Sequence, residues 1–247
     1  MDQQIQRHLV DLNARFYRQF AESFAETRSE PQPGFSQLAS YLPPSCMGML
    51  DVGCGEGRLG RFMLGRDLIE AYDGVDASQE LLNIASKQIS GRFWQRDLML
   101  AGALDGLGQY ECIACLAVLQ HIPGRANRVR LLNEMGAHLK HGGRLLLSTW
   151  QFLSSERQRH KIVDWSAAGL SPDDLEANDY LLTWQRGGLG HRYVNYIDEQ
   201  EMQSMLGEAG LRPLASFRAD GREGDLNLYT IGMVDAPTAN RSTRSAG

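Results

Sequence analysis

MLDVGCGEGRLGRF, residues 49–62, joins an apolar run to a helical pattern through glycines at positions 53, 55, 57 and 60. A glycine-rich turn between a strand and a helix lets the backbone approach a nucleotide cofactor, and the helix N-terminus offers free N–H groups. Read from Gly55, the stretch satisfies the dinucleotide fingerprint G-x-G-x-x-G, but its first glycine then no longer follows the strand directly. Read from Gly53, it is G-x-G-x-G. The spacing alone therefore does not choose the cofactor.

Strand-like and helical patterns alternate around this loop. The predicted strands are MGMLDV, AYDGVD, RFWQRD, YECIACLAV and GRLLLSTW, the predicted helices span about 58–66, 78–90 and 124–140, and a short helix, DEQEMQSMLGEAG, precedes two closing strands near 212–219 and 226–234. Such alternation predicts an α/β fold with a doubly wound, mostly parallel sheet.

The chain of 247 residues has room for one sizeable domain, which we assign to residues 1–234. Residues 1–45 are predicted to form an N-terminal helical lid, because one face carries Ile5, Leu9, Leu12, Phe16, Phe20 and Phe24 at helical spacing. A polar insertion follows the fifth strand at 151–195; it contains the flexible-looking RGGLG, and loops of this length are usually functional. Residues 235–247 are predicted to be a disordered tail.

Charge and cysteine content limit the classes of protein. The net charge of -5 argues against a nucleic-acid binder held by bulk electrostatics. The absence of a run of about 20 apolar residues and the polar start predict a soluble, cytoplasmic protein without a membrane span. Cys112 and Cys115 spell C-x-x-C, but residues three apart on a strand point to opposite faces, so we expect core cysteines and no metal site.

Acidic residues beside the loop bear on the cofactor. Asp51 ends the first strand and Glu56 lies inside the loop, where a pyrophosphate would face carboxylates instead of N–H donors. S-adenosylmethionine (SAM) carries an ammonium and a sulfonium, so acids favour it. Asp76, at the end of the second strand, is predicted to accept hydrogen bonds from ribose hydroxyls, and Asp97, with the Leu98 backbone, to contact the adenine. The loop is therefore expected to bind SAM.

The motifs LDVGCGEG, GVDAS, RDL and LKHGGRLLLSTW resemble those of class I SAM-dependent methyltransferases over residues 47–150. This resemblance implies a Rossmann-like, seven-stranded sheet whose last strand is antiparallel, with SAM across the carboxyl ends of the strands. The candidate cofactor-binding residues are Asp51, Gly53, Gly55, Gly57, Asp76, Ala77, Asp97, Leu98 and Leu116.

The flanks resemble a narrower family. FAESFAETRSEPQP, LQHIPGRANRVRLLNEM, STWQF, NDYLLTW and GHRYVNYIDEQE are similar to the tRNA wobble-uridine carboxymethyl methyltransferases, including the domain attached to AlkB-type oxygenases. Members methylate the carboxylate of 5-carboxymethyluridine, and the eukaryotic ones work with a small zinc-binding activator subunit. The resemblance thus implies tRNA and such a subunit as partners, and a reaction that needs no metal because the acceptor is already anionic.

Candidate substrate-side residues follow from the same resemblance. The matching positions are Arg28, His121, Trp150, Asp179, Trp184, Arg192, Tyr193, Asn227 and Tyr229, and the sequence departs from the pattern at Gln32, Gln120, Asn195 and Leu228. We take Arg28, Arg186 and Arg192 as candidates to bind the substrate carboxylate or, in one case, that of SAM, with Arg28 the first choice. His121 is expected to orient the substrate, not to act as an obligatory base. Trp150 and Trp184 are candidate platforms for a base.

The charge distribution leaves alternatives open. Residues 120–161 hold eight Lys or Arg against two acids, a balance of +6 that allows a local nucleic-acid face, with Arg128 a predicted contact. The same residues are equally compatible with the solvated side of a helix. A small-molecule methyltransferase on the same scaffold, or a non-catalytic SAM-binding subunit, are the other functions compatible with the sequence.

Overall fold

We describe a computed structural model of the chain, which covers residues 1–26, 30–44 and 46–234. The first half alternates helices and strands as the sequence predicts. In chain order these elements are α1 (Gln3–Glu26), α2 (Gly34–Ala39), β1 (Gly48–Val52), α3 (Arg58–Leu64), β2 (Ala71–Asp76), α4 (Gln79–Gln88), β3 (Arg92–Gln95), β4 (Tyr110–Leu116), α5 (Arg125–Ala137) and β5 (Leu139–Trp150).

The second half contains the insertion and the end of the sheet. Its elements are α6 (Glu156–Arg159), β6 (Ile162–Val163), β7 (Asp179–Trp184), β8 (Gly190–Asn195), α7 (Glu199–Glu208), β9 (Leu211–Ala219) and β10 (Asn227–Val234). Arg28 and the predicted disordered tail at 235–247 lie outside the described residues. Within the described part of the chain, no helix combines the length and apolarity that a bilayer crossing requires.

The main sheet has seven strands in the order β3-β2-β1-β4-β5-β10-β9. Strands β1 to β5 pair in parallel, and β10 is antiparallel to both β5 and β9. The prediction of a mostly parallel sheet with an antiparallel last strand is confirmed. The chain reverses its direction of winding between β1 and β4, and the carboxyl ends of strands at such a point form a ligand-binding crevice.

Helices cover both faces of this sheet. Leu131 of α5 and Met205 of α7 pack on one face, while Phe62 of α3 and Leu82 of α4 pack on the other. Cys115 belongs to the first core and Cys112 to the second, as the alternation of side chains along a strand predicts. All four cysteines are buried and free.

The insertion folds into structure that its polar sequence did not indicate. Strands β6, β7 and β8 form a separate antiparallel sheet, and RGGLG makes the turn between β7 and β8. Helix α1 packs along β8: the Asn13 side chain donates to the Tyr193 carbonyl at 3.1 Å and accepts from the Tyr193 amide at 2.8 Å. The insertion is ordered because α1 supplies the second surface of its core, where Leu9 packs against Trp165 and Leu181.

Candidate active site

A cavity of about 580 Å³ lies at the carboxyl ends of β1, β2 and β4, and side chains of α1 line its other side. Eight of the nine candidate cofactor residues line it: Asp51, Gly53, Gly55, Asp76, Ala77, Asp97, Leu98 and Leu116. They come from four separate stretches of the chain, and the parallel sheet brings them to one edge because equivalent strand ends meet there.

Gly57 is the candidate cofactor residue that does not line the cavity. It precedes α3 with φ 78°, and a Cβ at this position would lie 2.8 Å from Cδ1 of Ile89. Gly55, at φ 56°, has open space where its Cβ would be. Glycine at 57 thus lets α3 pack against the end of α4, whereas glycine at 55 keeps the cavity side of the loop free for a ligand.

Two acids at the ends of β1 and β2 hold the loop. The Tyr72 hydroxyl donates to Asp51 Oδ2 at 2.7 Å, and Asp76 accepts from the amides of Gly55 and Ser78, each at 2.8 Å. Burial raises the pKa of Asp51 to about 7, and repulsion from Asp76 and a neighbouring glutamate adds to this effect. Burial also raises the pKa of Asp76. Asp51, Asp76 and Glu56 therefore place three carboxyl groups close together at this end of the cavity.

The acidic end of the cavity fits a cationic ligand. Glu56 is only 5% exposed, and its Oε1 has no hydrogen-bond partner among the described residues. An ammonium or sulfonium would offset the repulsion between these carboxylates, while a pyrophosphate would increase it. Asp97 is exposed and accepts from the Met99 amide at 2.9 Å, so one of its oxygens already stabilises the turn after β3. The acidic residues at this end of the cavity are therefore suited to bind SAM.

Arg58 lines the cavity but was not among the residues predicted from the sequence. This residue begins α3, lines the cavity and lies over the Phe35 ring at 5.7 Å. Burial lowers its pKa, and the charge of Glu56 partly opposes that effect. Among the described residues no carboxylate forms an ion pair with it. Its place directly after the glycine loop is the signal that was available, and its guanidinium is suited to hold the carboxylate of SAM.

At the other end of the cavity, His121 and Tyr17 form a pair. His121 Nε2 lies 3.1 Å from the Tyr17 hydroxyl, and Nδ1 lies 3.0 Å from the carbonyl oxygen of Tyr193. A carbonyl only accepts, so Nδ1 carries the proton and, in the neutral ring, Nε2 accepts from Tyr17. Both residues line the cavity. Tyr17 was not predicted as a site residue, yet its hydroxyl fixes the orientation of the His121 ring.

Arg192 does not line the cavity, although a residue that binds the substrate carboxylate would have to. Its guanidinium, only 6% exposed, lies over the rings of Trp150 at 4.8 Å, Phe16 at 5.4 Å and Trp184 at 5.9 Å. Burial lowers its pKa, and the nearby Tyr17 hydroxyl partly opposes this. Trp150, a predicted base platform, does line the cavity. Arg192 thus stabilises the aromatic cluster that joins α1, β5 and the insertion.

Arg186 also lies away from the cavity. It is exposed in the turn between β7 and β8, where its carbonyl accepts from the Trp184 indole at 2.5 Å. Trp184 itself packs on Phe16 and does not line the cavity. Roles for Arg186 and Arg28 in binding the substrate remain predictions.

Several positions matched through the resemblance have structural contacts. Asp179 Oδ1 accepts from the Tyr193 hydroxyl and the Asn195 amide, both at 2.8 Å, so these residues brace the insertion. Gln120 Oε1 accepts from the Trp150 amide at 2.7 Å and thereby anchors the end of β5.

Hydrogen bonds to the buried carboxylate of Asp220 join the closing strands to the N-terminal region. Asp220 Oδ1 accepts from the Gly34 amide at 2.8 Å, and its Oδ2 accepts from the Asn227 amide at 2.8 Å and the Tyr229 hydroxyl at 2.6 Å. Asn227 and Gln32 also line the cavity. Leu228, the remaining departure from the family pattern, is buried in the sheet.

The predicted nucleic-acid contact of Arg128 is wrong. Its side chain is 2% exposed, donates to the Ile122 carbonyl at 3.0 Å and pairs with Glu176 at 3.0 Å. The helical pattern could not reveal that the insertion supplies an acid opposite this residue. Arg128 therefore ties α5 to the insertion.

Comparison with known proteins agrees with this geometry. A family model described as a methyltransferase domain matches residues 14–216. A protein of Encephalitozoon cuniculi named as a methyltransferase is 28% identical over 81% of this chain and 87% of its own length. The ubiquinone biosynthesis O-methyltransferase of Thiobacillus denitrificans is 28% identical over 66% of this chain and 63% of its own length.

A tRNA (carboxymethyluridine(34)-5-O)-methyltransferase of Xenopus tropicalis is 30% identical over 66% of this chain, which spans only 25% of that relative. Among solved structures, a SAM-dependent methyltransferase from Clostridium acetobutylicum has a TM-score of 0.64 at 15% identity, over 90% of this chain and 98% of that one. A SAM-bound amino pentose methyltransferase from Micromonospora echinaspora has a TM-score of 0.59 at 17% identity, over 85% and 95%. At 15% and 17% identity, the structural similarity is evidence of a shared fold alone.

Proposed function

The chain belongs to the methyltransferase domain family and is a SAM-dependent methyltransferase, and we propose that its acceptor is the carboxylate of 5-carboxymethyluridine at the tRNA wobble position. The product is the methyl ester. The activity for which the Xenopus tropicalis relative is named supports this acceptor. A small zinc-binding activator subunit is part of the proposal, on the resemblance of the flanks.

One observation carries the choice of a carboxylate: both ring nitrogens of His121 are engaged, Nδ1 by the Tyr193 carbonyl and Nε2 by the Tyr17 hydroxyl. A carboxylic acid with a pKa near 4 is already ionised at neutral pH, so it needs no base. A phenol or hydroxyl needs a group that removes its proton during transfer. An occupied Nε2 suits the first type of acceptor.

The work of the protein is then to bind and orient. When bound, SAM supplies a methyl group on a sulfonium, which is already an activated leaving group. The face of Trp150 is suited to stack a splayed base, and Tyr17 and His121 are suited to orient polar groups beside it. Helix α1 covers the cavity and limits the water around an attacking oxygen, which raises its reactivity.

A small-molecule acceptor is the second candidate. The ubiquinone biosynthesis relative aligns with more of its own length, 63%, than the tRNA-modifying relative does, 25%. The Tyr17–His121 pair also favours it in one respect, because a phenol that displaced the Tyr17 hydroxyl would meet a neutral imidazole nitrogen.

The test uses SAM with an isotopically labelled methyl group and two sets of acceptors. The first is an anticodon stem-loop carrying 5-carboxymethyluridine, with the unmodified stem-loop as its matched control; the second is a panel of phenols. Mass spectrometry of the nucleosides should find a labelled ester that mild alkali hydrolyses back to the acid. Transfer only to a phenol would favour the second candidate, and transfer to neither, with or without a zinc-binding activator subunit, would exclude both acceptors.

A further inference from the structure

The basic residues between 120 and 161 divide into two groups in the structure. Those on α5 and at the start of β5 are mostly paired with acids. The ion pairs are Arg125 with Glu201 at 2.8 Å and Glu208 at 2.7 Å, Arg128 with Glu176 at 3.0 Å, Arg130 with Glu134 at 2.6 Å, and Lys140 with Glu111 at 2.5 Å. This part of the basic run is therefore largely neutralised.

The second group follows Trp150 and lies in the insertion. Arg157 is exposed and Lys161 is half-buried, and within residues 1–26, 30–44 and 46–234 neither forms an ion pair with a carboxylate. The Lys161 carbonyl accepts from the Thr183 amide at 2.8 Å, which fixes the backbone of this segment against β7. The backbone at Lys161 is therefore fixed, and neither Arg157 nor Lys161 is paired with an acid in the described part of the chain.

Arg192 lies across the small sheet from the segment that contains Lys161. In the small sheet, Ile162 of β6 pairs with Leu182 of β7, and Leu182 pairs with Arg192 of β8. Lys161 directly precedes Ile162, so one strand, β7, separates its segment from Arg192. Burial, together with the charges of Arg192 and Arg157, lowers the pKa of Lys161. The Nε of Arg192 is buried and has no hydrogen-bond partner among the described residues. Arg157 and Arg192 thus both add positive charge around Lys161, and an anion bound beside Lys161 would offset that repulsion.

We propose that Arg157 and Lys161 bind a backbone phosphate of the RNA substrate, with the buried Arg192 adding positive charge behind them. The proposal rests on the proposed function, because that function supplies an acceptor flanked by phosphates. Trp150 connects the two sites: it lines the cavity and also lies 4.8 Å from Arg192. A nucleotide whose base stacks on Trp150 would bring a phosphate toward this group of cations.

The experiment measures RNA affinity by fluorescence anisotropy at several salt concentrations, with a labelled anticodon stem-loop as the probe. The variant is Arg157→Gln with Lys161→Gln. The control is Lys140→Gln with Arg144→Gln, which removes the same charge from the amino-terminal half of β5, about 20 Å or more from Trp150 along the strand. SAM binding by calorimetry verifies that each protein is folded.

We expect the insertion variant to bind the stem-loop about tenfold more weakly and to lose about one unit of salt dependence per lost phosphate contact. The control should bind RNA like the wild type. Equal loss in both variants, or no loss in the insertion variant, would overturn the proposal. Methyl transfer by the wild type to the free nucleoside 5-carboxymethyluridine tests the acceptor separately, so failure of the phosphate site and failure of the proposed function give different results.

Discussion

The Tyr17 hydroxyl lies 3.1 Å from Nε2 of His121, although 104 residues separate the two in the chain. This contact joins α1 to the turn after β4 and occupies the ring nitrogen that would otherwise accept a proton. The chemistry available at this end of the cavity therefore depends on how α1 closes over the sheet.

Replacement of His121 tests whether it orients or acts as a base. His121→Asn can keep a donor for the Tyr193 carbonyl, and His121→Gln can keep an acceptor for Tyr17. With a carboxylate acceptor we expect each to lower kcat by about tenfold, or about 1.4 kcal/mol, because only positioning is lost. The pH profile of kcat should stay flat from about pH 6 to 9, well above the pKa of the acceptor. A limb in the wild-type profile that vanishes in both variants would show base catalysis, and the carboxylate mechanism would have to be abandoned.

Asp76 should contribute directly to the binding of SAM. We expect Asp76→Asn to weaken binding by about 1 to 3 kcal/mol, because a charged acceptor for ribose hydroxyls becomes neutral. Calorimetry measures the change, and Asp67→Asn, at an exposed position in the turn between α3 and β2 that does not line the cavity, is the control. Wild-type affinity in a folded Asp76→Asn protein would mean that this carboxylate does not contact the cofactor.

The raised pKa of Asp51, about 7, predicts that stability and cofactor binding depend on pH in opposite directions. From about pH 4 to 7 the folded state holds a proton that the unfolded state has released, so the free energy of unfolding should fall as pH rises through this window. A cationic cofactor favours the ionised acid, so the increase in Tm caused by SAM should be larger at pH 8 than at pH 6.

Asp51→Asn should remove most of both effects, since the amide does not titrate. Calorimetry below pH 7 in buffers of different ionisation enthalpy should also detect proton release when SAM binds the wild type. Identical pH dependence in wild type and variant would assign the titration to another group.

Arg58 should recognise the carboxylate of SAM and no other part of it. We expect Arg58→Gln to weaken SAM binding at least tenfold, about 1.4 kcal/mol, because a charge-assisted hydrogen bond is lost. Binding of decarboxylated SAM should change little. Arg66→Gln, which alters an arginine just beyond the C-terminus of α3, is the matched control. Equal weakening of both ligands would show that Arg58 supports the loop instead of binding the carboxylate.

Much of the cofactor site could be predicted because its information is local. The glycines and acids stand at the ends of predictable strands, and a parallel sheet brings such ends to one edge, so Asp51, Gly55, Asp76 and Asp97 line one cavity, as expected from the sequence. Gly57 does not line the cavity, and the sequence could not distinguish it from Gly55, because glycine serves close packing against Ile89 as well as close approach to a ligand.

The substrate side was decided by tertiary structure. The sequence by itself determined the class of fold, the cofactor and the presence of arginines and aromatic residues in the flanks. It did not determine that Arg128 would be buried against Glu176, that Arg192 would be enclosed by aromatic rings, or that Tyr17 would reach His121. Each of these contacts joins segments distant in the chain, and a side chain's charge and spacing do not specify its partner until the fold supplies one. The cofactor site follows from periodicity and strand ends, whereas the substrate site follows from how α1 and the insertion pack on the sheet.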